Sequence, residues 1–300
     1  MHLPVLLKEV LQYLDPRVND NFVDATLGEG VHSLAILERT APQGRVLGIE
    51  KDQVLFQRIK EKVKDSTDIN AQVLKRLILV NDSYTNLARI VKENKFGSIQ
   101  GILFDLGVCS FHLDESGKGF SFREDEPLDM RFSSQDTLTA AEIINSWPQE
   151  EIARILTELG EERYSKRIAR AIREKRKKER IITTYQLVEI LREVLPADYE
   201  HHRIHFATRT FQALRIAVNK ELENLEKGLE QSLSILAPGG KIVVISFHSL
   251  EDRIVKHFFK KEAQLQHLKI LTKRPILPSS EEVEKNRRSR SAKLRAAQVN

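Results

Sequence analysis

Four short apolar runs, separated by stretches with helical spacing, limit what the first third of this chain can become. Phe22–Thr26, Arg45–Glu50 ("RVLGIE"), Leu77–Asn81 ("LILVN") and Gly101–Leu106 ("GILFDL") are strand-length and rich in β-branched and aromatic residues. Between the second and third, Leu55, Ile59 and Val63 recur every four residues, one face of a helix. Strand–helix alternation implies right-handed βαβ units, hence an α/β fold with a mostly parallel sheet and helices on both faces.

After Gly107 the pattern changes. Residues 109–135 are polar and loop-like, and short helices follow, with "TAAE" (Thr139–Glu142) and "TTYQ" (Thr183–Gln186) fitting capping boxes and Pro148 suiting a helix first turn. No strand-like run returns before Lys241. A long helix is predicted from Thr208, because Leu214, Val218, Leu222, Leu225, Leu229, Leu233 and Leu236 are spaced 4-4-3-4-4-3. It should stop at "APGG" (Ala237–Gly240) before the strand "KIVVISF". The expected division is a sheet domain over 1–108 and 206–300, interrupted by an all-helical domain over 109–205.

The first strand runs into "DATLGEGVHS". Gly28 and Gly30 allow the backbone to turn tightly and to approach a ligand, but the third slot of a dinucleotide fingerprint is Ser33. The loop alone therefore leaves a dinucleotide, S-adenosylmethionine and a bare turn all open. Glu50, at the end of the second strand, is an acid placed to accept from ribose hydroxyls; helix capping is the competing role, and neighbouring Asp52 can fill it instead. Asp105 closes the fourth strand. Ligands of open α/β sheets sit outside the carboxyl ends of strands, so Asp24, Gly28, Gly30, Glu50 and Asp105 should converge on one crevice. An acid ending the fourth strand and a "PGG" turn before the next resemble the S-adenosylmethionine methyltransferase layout.

Charge points to a polyanionic partner. The net charge is +5, yet Arg163–Arg180 ("RYSKRIARAIREKRKKER") holds ten Lys or Arg against two Glu, and Lys285–Arg295 ("KNRRSRSAKLR") holds six and no acid. Along the first run, Lys166, Arg170, Arg173, Lys177 and Lys178 are the candidate contacts, beside Ile168 and Ile172 as core-facing positions. Along the second they are Arg287, Arg288 and Arg290. The single cysteine, Cys109, suits a reducing cytoplasm; no run has the length of a membrane helix, and "MHLPVLLKEV" lacks a signal-peptide layout. His201, His202 and His205 miss the usual zinc spacings and have no cysteine partners, so no metal is expected.

Several segments carry a more specific signal together: "HLPVLLKEVL", "DATLGEGVHS", "FDLGVCSFHLD", "KGFSFREDEPLDMRF", "GEERYSKRIARAI", "ATRTFQALRIAVNKELE", "LAPGGKIVVISFHSLEDRIVKHFF" and "RSRSAKLRAA". In order, and along nearly the whole chain, they resemble the bacterial 16S rRNA (cytosine-N4)-methyltransferase family. The resemblance implies a class I (Rossmann-like) methyltransferase fold with an inserted helical substrate-recognition domain. It also implies S-adenosylmethionine as cofactor and, as substrate, a decoding-centre cytidine of 16S rRNA within an assembled small ribosomal subunit. By the same resemblance Gly30, Val31 and His32 hold the methionine part of the cofactor, Glu50 the ribose and Tyr84 the adenine side, with Asp105 and His112 as further contacts. The chain departs from the family's usual Gly at Val31, Asp at Glu50, Phe at Tyr84, Ser at Cys109, Gln at His112 and Pro at Phe206.

DNA cytosine-N4 enzymes carry an S/D-P-P-Y type segment after the fourth strand; here "DLGVCS" stands instead. Candidates to accept the amine hydrogen or orient the base are therefore Asp105, Ser246 and His248, the last with a competing role at a helix start where Ser249 is the cap. The rival classes are an NAD-dependent dehydrogenase and a non-enzymatic small-subunit assembly factor that keeps the fold. Monomer and homodimer are both open.

Overall fold

The computed structural model describes residues 3–64, 69–196, 199 and 205–300. The chain forms two compact units, Met1–Gly107 with Leu222–Asn300, and Val108–Glu221.

The first unit is built on one sheet. Its strands are β1 (Asn21–Asp24), β2 (Val46–Glu50), β3 (Leu77–Asn81), β4 (Ile99–Asp105), β5 (Leu236–Ser246), β6 (Leu268–Ile270) and β7 (Lys293–Val299). Their order is β3-β2-β1-β4-β5-β7-β6, with every pair parallel except those made by β7. All five residues of β2 are buried, the signature of a strand covered on both faces, which explains why it reads as an unbroken apolar run. This is the class I methyltransferase arrangement that the resemblance implies. From β1 the chain winds outward through β2 and β3, then returns to β4 on the other flank of β1. That reversal opens the crevice at the carboxyl ends of β1 and β4.

Two sequence expectations are corrected here. The long helix is two helices, Thr208–Asn219 and Glu221–Ile235, broken at Lys220 in the left-handed conformation (φ 51). The apolar stripe continues across the break, but Asn219 does not let the helix continue. Its side chain donates to the carbonyls of Met130 (2.7 Å) and Arg215 (2.9 Å) and accepts from Phe132 N (2.9 Å), while Arg215 grips Glu221 with two contacts of 2.9 Å. Secondly, β5 begins at Leu236 and not at Lys241. Leu236 pairs with Ile99 and Lys241 with Gly101, so "APGG" bulges out of the strand with Gly239 at φ 79. A strand that left no sign in the sequence, β7, begins within the end of the second basic run. "KLRAAQV" has poor β-propensity by composition, but it is held between β5 and β6, and its Arg295, 7% exposed, is bound by Asp252 at 2.6 and 3.3 Å.

The second unit is helical, with no strand among its described residues: Ser110–Asp114, Ala140–Ser146, Gln149–Glu158, Ser165–Arg176, Thr184–Val194 and Thr208–Asn219. Both expected capping boxes form, at Thr139 with Glu142 and at Thr183 with Gln186, while Pro148 stands at the N-cap itself. The unit runs from Val108 to Glu221, past the expected limit of 205, because the helix from Thr208 buries Phe211, Ala213, Leu214 and Val218 in the same core as Ile143, Ile155, Ile168 and Leu191.

Candidate cofactor site and active centre

The loop after β1 is closed from inside. Asp24, fully buried, accepts from Thr26 N (3.3 Å) and from the Ser33 hydroxyl (2.7 Å). Ser33 thus fills the slot of the missing third glycine with a hydrogen bond across the loop, a role the glycine pattern could not reveal. Burial raises the Asp24 acid to about 6. Gly28 (φ 52) and Gly30 (φ 78) take left-handed conformations that a side chain would strain, and Gly30 N donates to Leu27 O at 2.8 Å. The helix Val31–Arg39 therefore starts with its first amides uncovered by any side-chain cap, an arrangement suited to a carboxylate ligand.

Glu50 reaches back to this loop. One carboxylate oxygen accepts from Gly28 N (3.0 Å) and the other from Asp52 N (2.8 Å), so each keeps a lone pair for a ligand hydroxyl. Asp52 caps the next helix, accepting from Val54 N (2.8 Å) and Leu55 N (3.1 Å). The capping role open to Glu50 is thus filled by its neighbour. Burial, reinforced by the charges of Asp52 and Asp24, pushes Glu50 up to about 8. Tyr84 starts the turn after β3; its ring meets Phe104 edge-on at 5.6 Å and lies over Gly228, where a Cβ would come within 2.8 Å of it.

Asp105 ends β4. Its amide donates to the Thr26 hydroxyl, at 2.6 Å, and Oδ2 lies 3.6 Å from His32 Nδ1. The other oxygen, Oδ1, is buried with no hydrogen-bond partner among the described residues. Burial, then the charges of Asp24 and Glu251, raises the acid to about 8. His32 is 7% exposed, and its Nε2 lies 3.0 Å from the Val5 carbonyl, an acceptor only. Nε2 therefore carries the hydrogen and Nδ1 is turned to Asp105.

At the end of β5, Ser246 is 2% exposed and donates to the Lys293 carbonyl at 3.3 Å. His248 is itself the N-cap of the helix Ser249–Gln264, in place of Ser249: its Nδ1 accepts from Glu251 N at 3.3 Å, while Glu251 accepts from Phe247 N at 2.9 Å. A histidine in the capping position is a rare choice, and residue type alone gives no sign of it. Val31 is the first residue of its helix. His112 lies in the second unit, with Nδ1 3.2 Å from Cys109 Sγ and its ring among Phe111, Phe120 and Phe132.

The first unit thus gathers Asp24, Gly28, Gly30, His32, Glu50, Asp105 and Glu251 at the carboxyl edge of its sheet. Left-handed glycines, an acid with spare acceptor capacity and an unsatisfied buried carboxylate oxygen fit a cofactor bearing ribose hydroxyls and positive charge, as S-adenosylmethionine does.

The candidate RNA contacts lie on two segments. Lys166, Arg170, Arg173, Lys177 and Lys178 are exposed on or just beyond the helix Ser165–Arg176, whose other face buries Ile168 and Ile172. Glu174 lies 2.8 Å from Lys177 and 3.8 Å from Arg173. Arg287, Arg288 and Arg290 are exposed on a 3-10 turn, Arg287–Ser291. His205 stacks on Phe122 (4.4 Å) and Phe206 (4.3 Å); His201 and His202 lie outside the described residues. Among the described residues no helix is long and apolar enough to cross a membrane.

Comparison with known proteins identifies the family. The model of the MraW methylase family matches residues 1–300. Relatives called ribosomal RNA small subunit methyltransferase H, from Kosmotoga olearia and Heliobacterium mobile, are 46% and 45% identical; each match covers 99% of this chain, and 97% and 98% of the relative. One of the same name from Dictyoglomus thermophilum is 45% identical, over 99% of this chain and 96% of its own length. The chain belongs to the MraW methylase family, and it is a methyltransferase with S-adenosylmethionine as its cofactor.

Proposed function

We propose that this enzyme methylates the exocyclic N4 of a decoding-centre cytidine in 16S rRNA, with the assembled small ribosomal subunit as substrate. The names of the relatives support an rRNA substrate, and the resemblance of the ordered motifs supports the cytidine amine. The observation that carries the chemistry is Asp105 Oδ1, a buried acceptor at the carboxyl end of β4 with no hydrogen-bond partner among the described residues.

Bound S-adenosylmethionine supplies a methyl group already activated by a sulfonium. Cytosine N4 is a poor nucleophile because its lone pair is delocalised into the ring, so the protein has chiefly to align the amine, exclude water and accept hydrogen bonds as positive charge develops. Asp105 Oδ1 is the acceptor for the N4 hydrogen. Its raised pKa favours the protonated form where no cation neighbours it, and a cation beside it favours the carboxylate that the reaction needs. His32, fixed through Val5, orients Asp105. Ser246 keeps lone pairs while donating to Lys293, and His248, as the helix cap, holds the Ser246–Ser249 corner that supports the base.

Glu50 holds the ribose, Gly28, Gly30 and Val31 the methionine end, and Tyr84 the adenine. The exposed face of the helix Ser165–Arg176 grips the rRNA backbone. The base must leave its stack, or already be single-stranded, to reach such a pocket.

The test is nucleoside mass spectrometry of rRNA treated either free or as purified small subunits. One N4-methylcytidine site, formed on the subunits, is the expected result. A methyl at carbon 5, which would require Cys109 as a ring-attacking nucleophile, would overturn it.

A further inference from the structure

The second basic run divides on folding. Lys285 is held by Glu281 at 2.6 Å, and Lys293 and Arg295 sit beside Asp252 at 3.7 and 2.6 Å. Arg287, Arg288 and Arg290 are exposed on the turn between the helix Ser280–Lys285 and β7.

The place of that turn follows from strand direction. In a parallel sheet the ligand edge is the carboxyl edge, where Asp105 and Ser246 stand. Because β7 runs antiparallel, its amino end is the one at that edge: Lys293 lies directly across from Ser246, one residue beyond the Asp105–Ile245 pair. Two strand spacings, about 10 Å, separate the strand of Asp105 from the start of β7. The arginine turn therefore stands on the active-centre rim of the catalytic unit.

The turn is also pinned. Asn286 accepts from Arg288 N (3.2 Å) and donates to Leu3 O (3.1 Å), and fully buried Ser289 donates to Asn286 O (2.7 Å). Glu282, one helical turn earlier, accepts from Leu6 N (2.7 Å). The segment so held carries Val5, whose carbonyl fixes His32 beside Asp105. One chain of hydrogen bonds links the arginine turn to the group that orients Asp105.

We propose that the turn Arg287–Arg290 is a phosphate clamp for the rRNA strand immediately flanking the target base. It rests on the reading of rRNA as substrate, and it separates two roles: the helix Ser165–Arg176 supplies affinity, whereas the turn sets the register of one nucleotide against Asp105. Guanidinium forks match phosphate oxygens bidentately, and a pinned backbone loses little freedom on binding them.

Methylation of purified small subunits over a salt series tests this, with three proteins: wild type, R287Q/R288Q/R290Q, and N286A. The triple variant should lose about 30–300-fold in kcat/KM for the subunit, and its slope of log kcat/KM against log salt should flatten by roughly 2 units, at ~0.7 per single-strand phosphate. N286A keeps every charge. It should retain the wild-type slope and lose about 3–10-fold in kcat/KM, the mark of a positioned clamp. Cofactor affinity by calorimetry should stay within about twofold in both, showing an intact fold. An unchanged slope in the triple variant, or unchanged kinetics in N286A, overturns the clamp. A wild-type protein that methylates no RNA overturns the substrate reading instead, and the clamp falls with it.

Discussion

Replacing Asp105 by asparagine should make the empty enzyme more stable and the working enzyme far slower. The carboxyl is raised from 3.8 to about 8 by burial and by Asp24 and Glu251, so the unfolded chain ionises over a pH range in which the native chain resists ionising. For an acid raised in this way, the native state loses stability as pH climbs from about 4 to 8, and the loss is constant above that. At 1.36 kcal/mol per unit, ~4 units correspond formally to about 5–6 kcal/mol. The side chain is 23% exposed, and the water it reaches relieves much of this, so we expect D105N to gain about 1–3 kcal/mol at pH 8. At about 2–4 °C per kcal/mol, this is a rise of several degrees in Tm. The gain should vanish toward pH 4, where both states are protonated. Because the amide cannot accept the N4 hydrogen as a carboxylate does, kcat should fall roughly 10²–10³-fold at saturating cofactor. Thermal unfolding of the cofactor-free protein at pH 4.5 and pH 8, with single-turnover methylation, checks both halves. A variant less stable than wild type at pH 8, or one with undiminished kcat, would refute the reasoning.

Glu50→Ala should weaken S-adenosylmethionine binding by ~1.5–3 kcal/mol, the range for hydrogen bonds to a charged group; unchanged affinity in calorimetry would confine Glu50 to bracing the Gly28 loop. Gln at Arg173, Lys177 and Lys178 together should flatten the salt slope of RNA binding by roughly 1–2 units, toward the low end because Glu174 already neutralises part of this face, and should leave cofactor affinity unchanged. Asn219→Ala removes three hydrogen bonds from a site 3% exposed and should cost about 2–4 kcal/mol. Hydrogen exchange should then speed up at Phe132, whose amide loses its acceptor; unaltered exchange there would count against the role given to Asn219.

What could be read before folding depended on whether a residue's partner was near it in sequence. β1, β2 and β4 were legible because burial on both faces leaves apolar runs, β3 because an edge strand can keep the same composition while half-exposed, and the two capping boxes because their partners are three residues apart. Ser33 looked like a defect in a glycine pattern, since its partner Asp24 is brought back only by the loop's own turn. His248 was readable as a helix start but not as the cap itself, which depends on the rotamer it shares with Glu251. The apolar stripe from Leu214 to Leu236 concealed its break, because the cause, Asn219 bonded to Met130 and Phe132, lies far away along the chain. β7 was hidden by its own charges. Arg295 reads as one more charge of a basic run until Asp252 is seen to bind it.

The hydrogen bonds that hold Leu3 and Leu6 span 283 and 276 residues. At translation rates of about 5–20 residues per second, roughly 15–55 s pass between the appearance of Leu6 and that of Glu282. Until then the bonds that pin Leu3 and Leu6, on either side of Val5, cannot form, and β7 has not closed the sheet beside β5. A nascent chain can therefore assemble its glycine loop and the β1–β4 core early, while the pinning of the segment that carries Val5 waits for the distant residues. Completion of the active centre thus draws on contacts of very long sequence separation, a kind that is intrinsically slow to form.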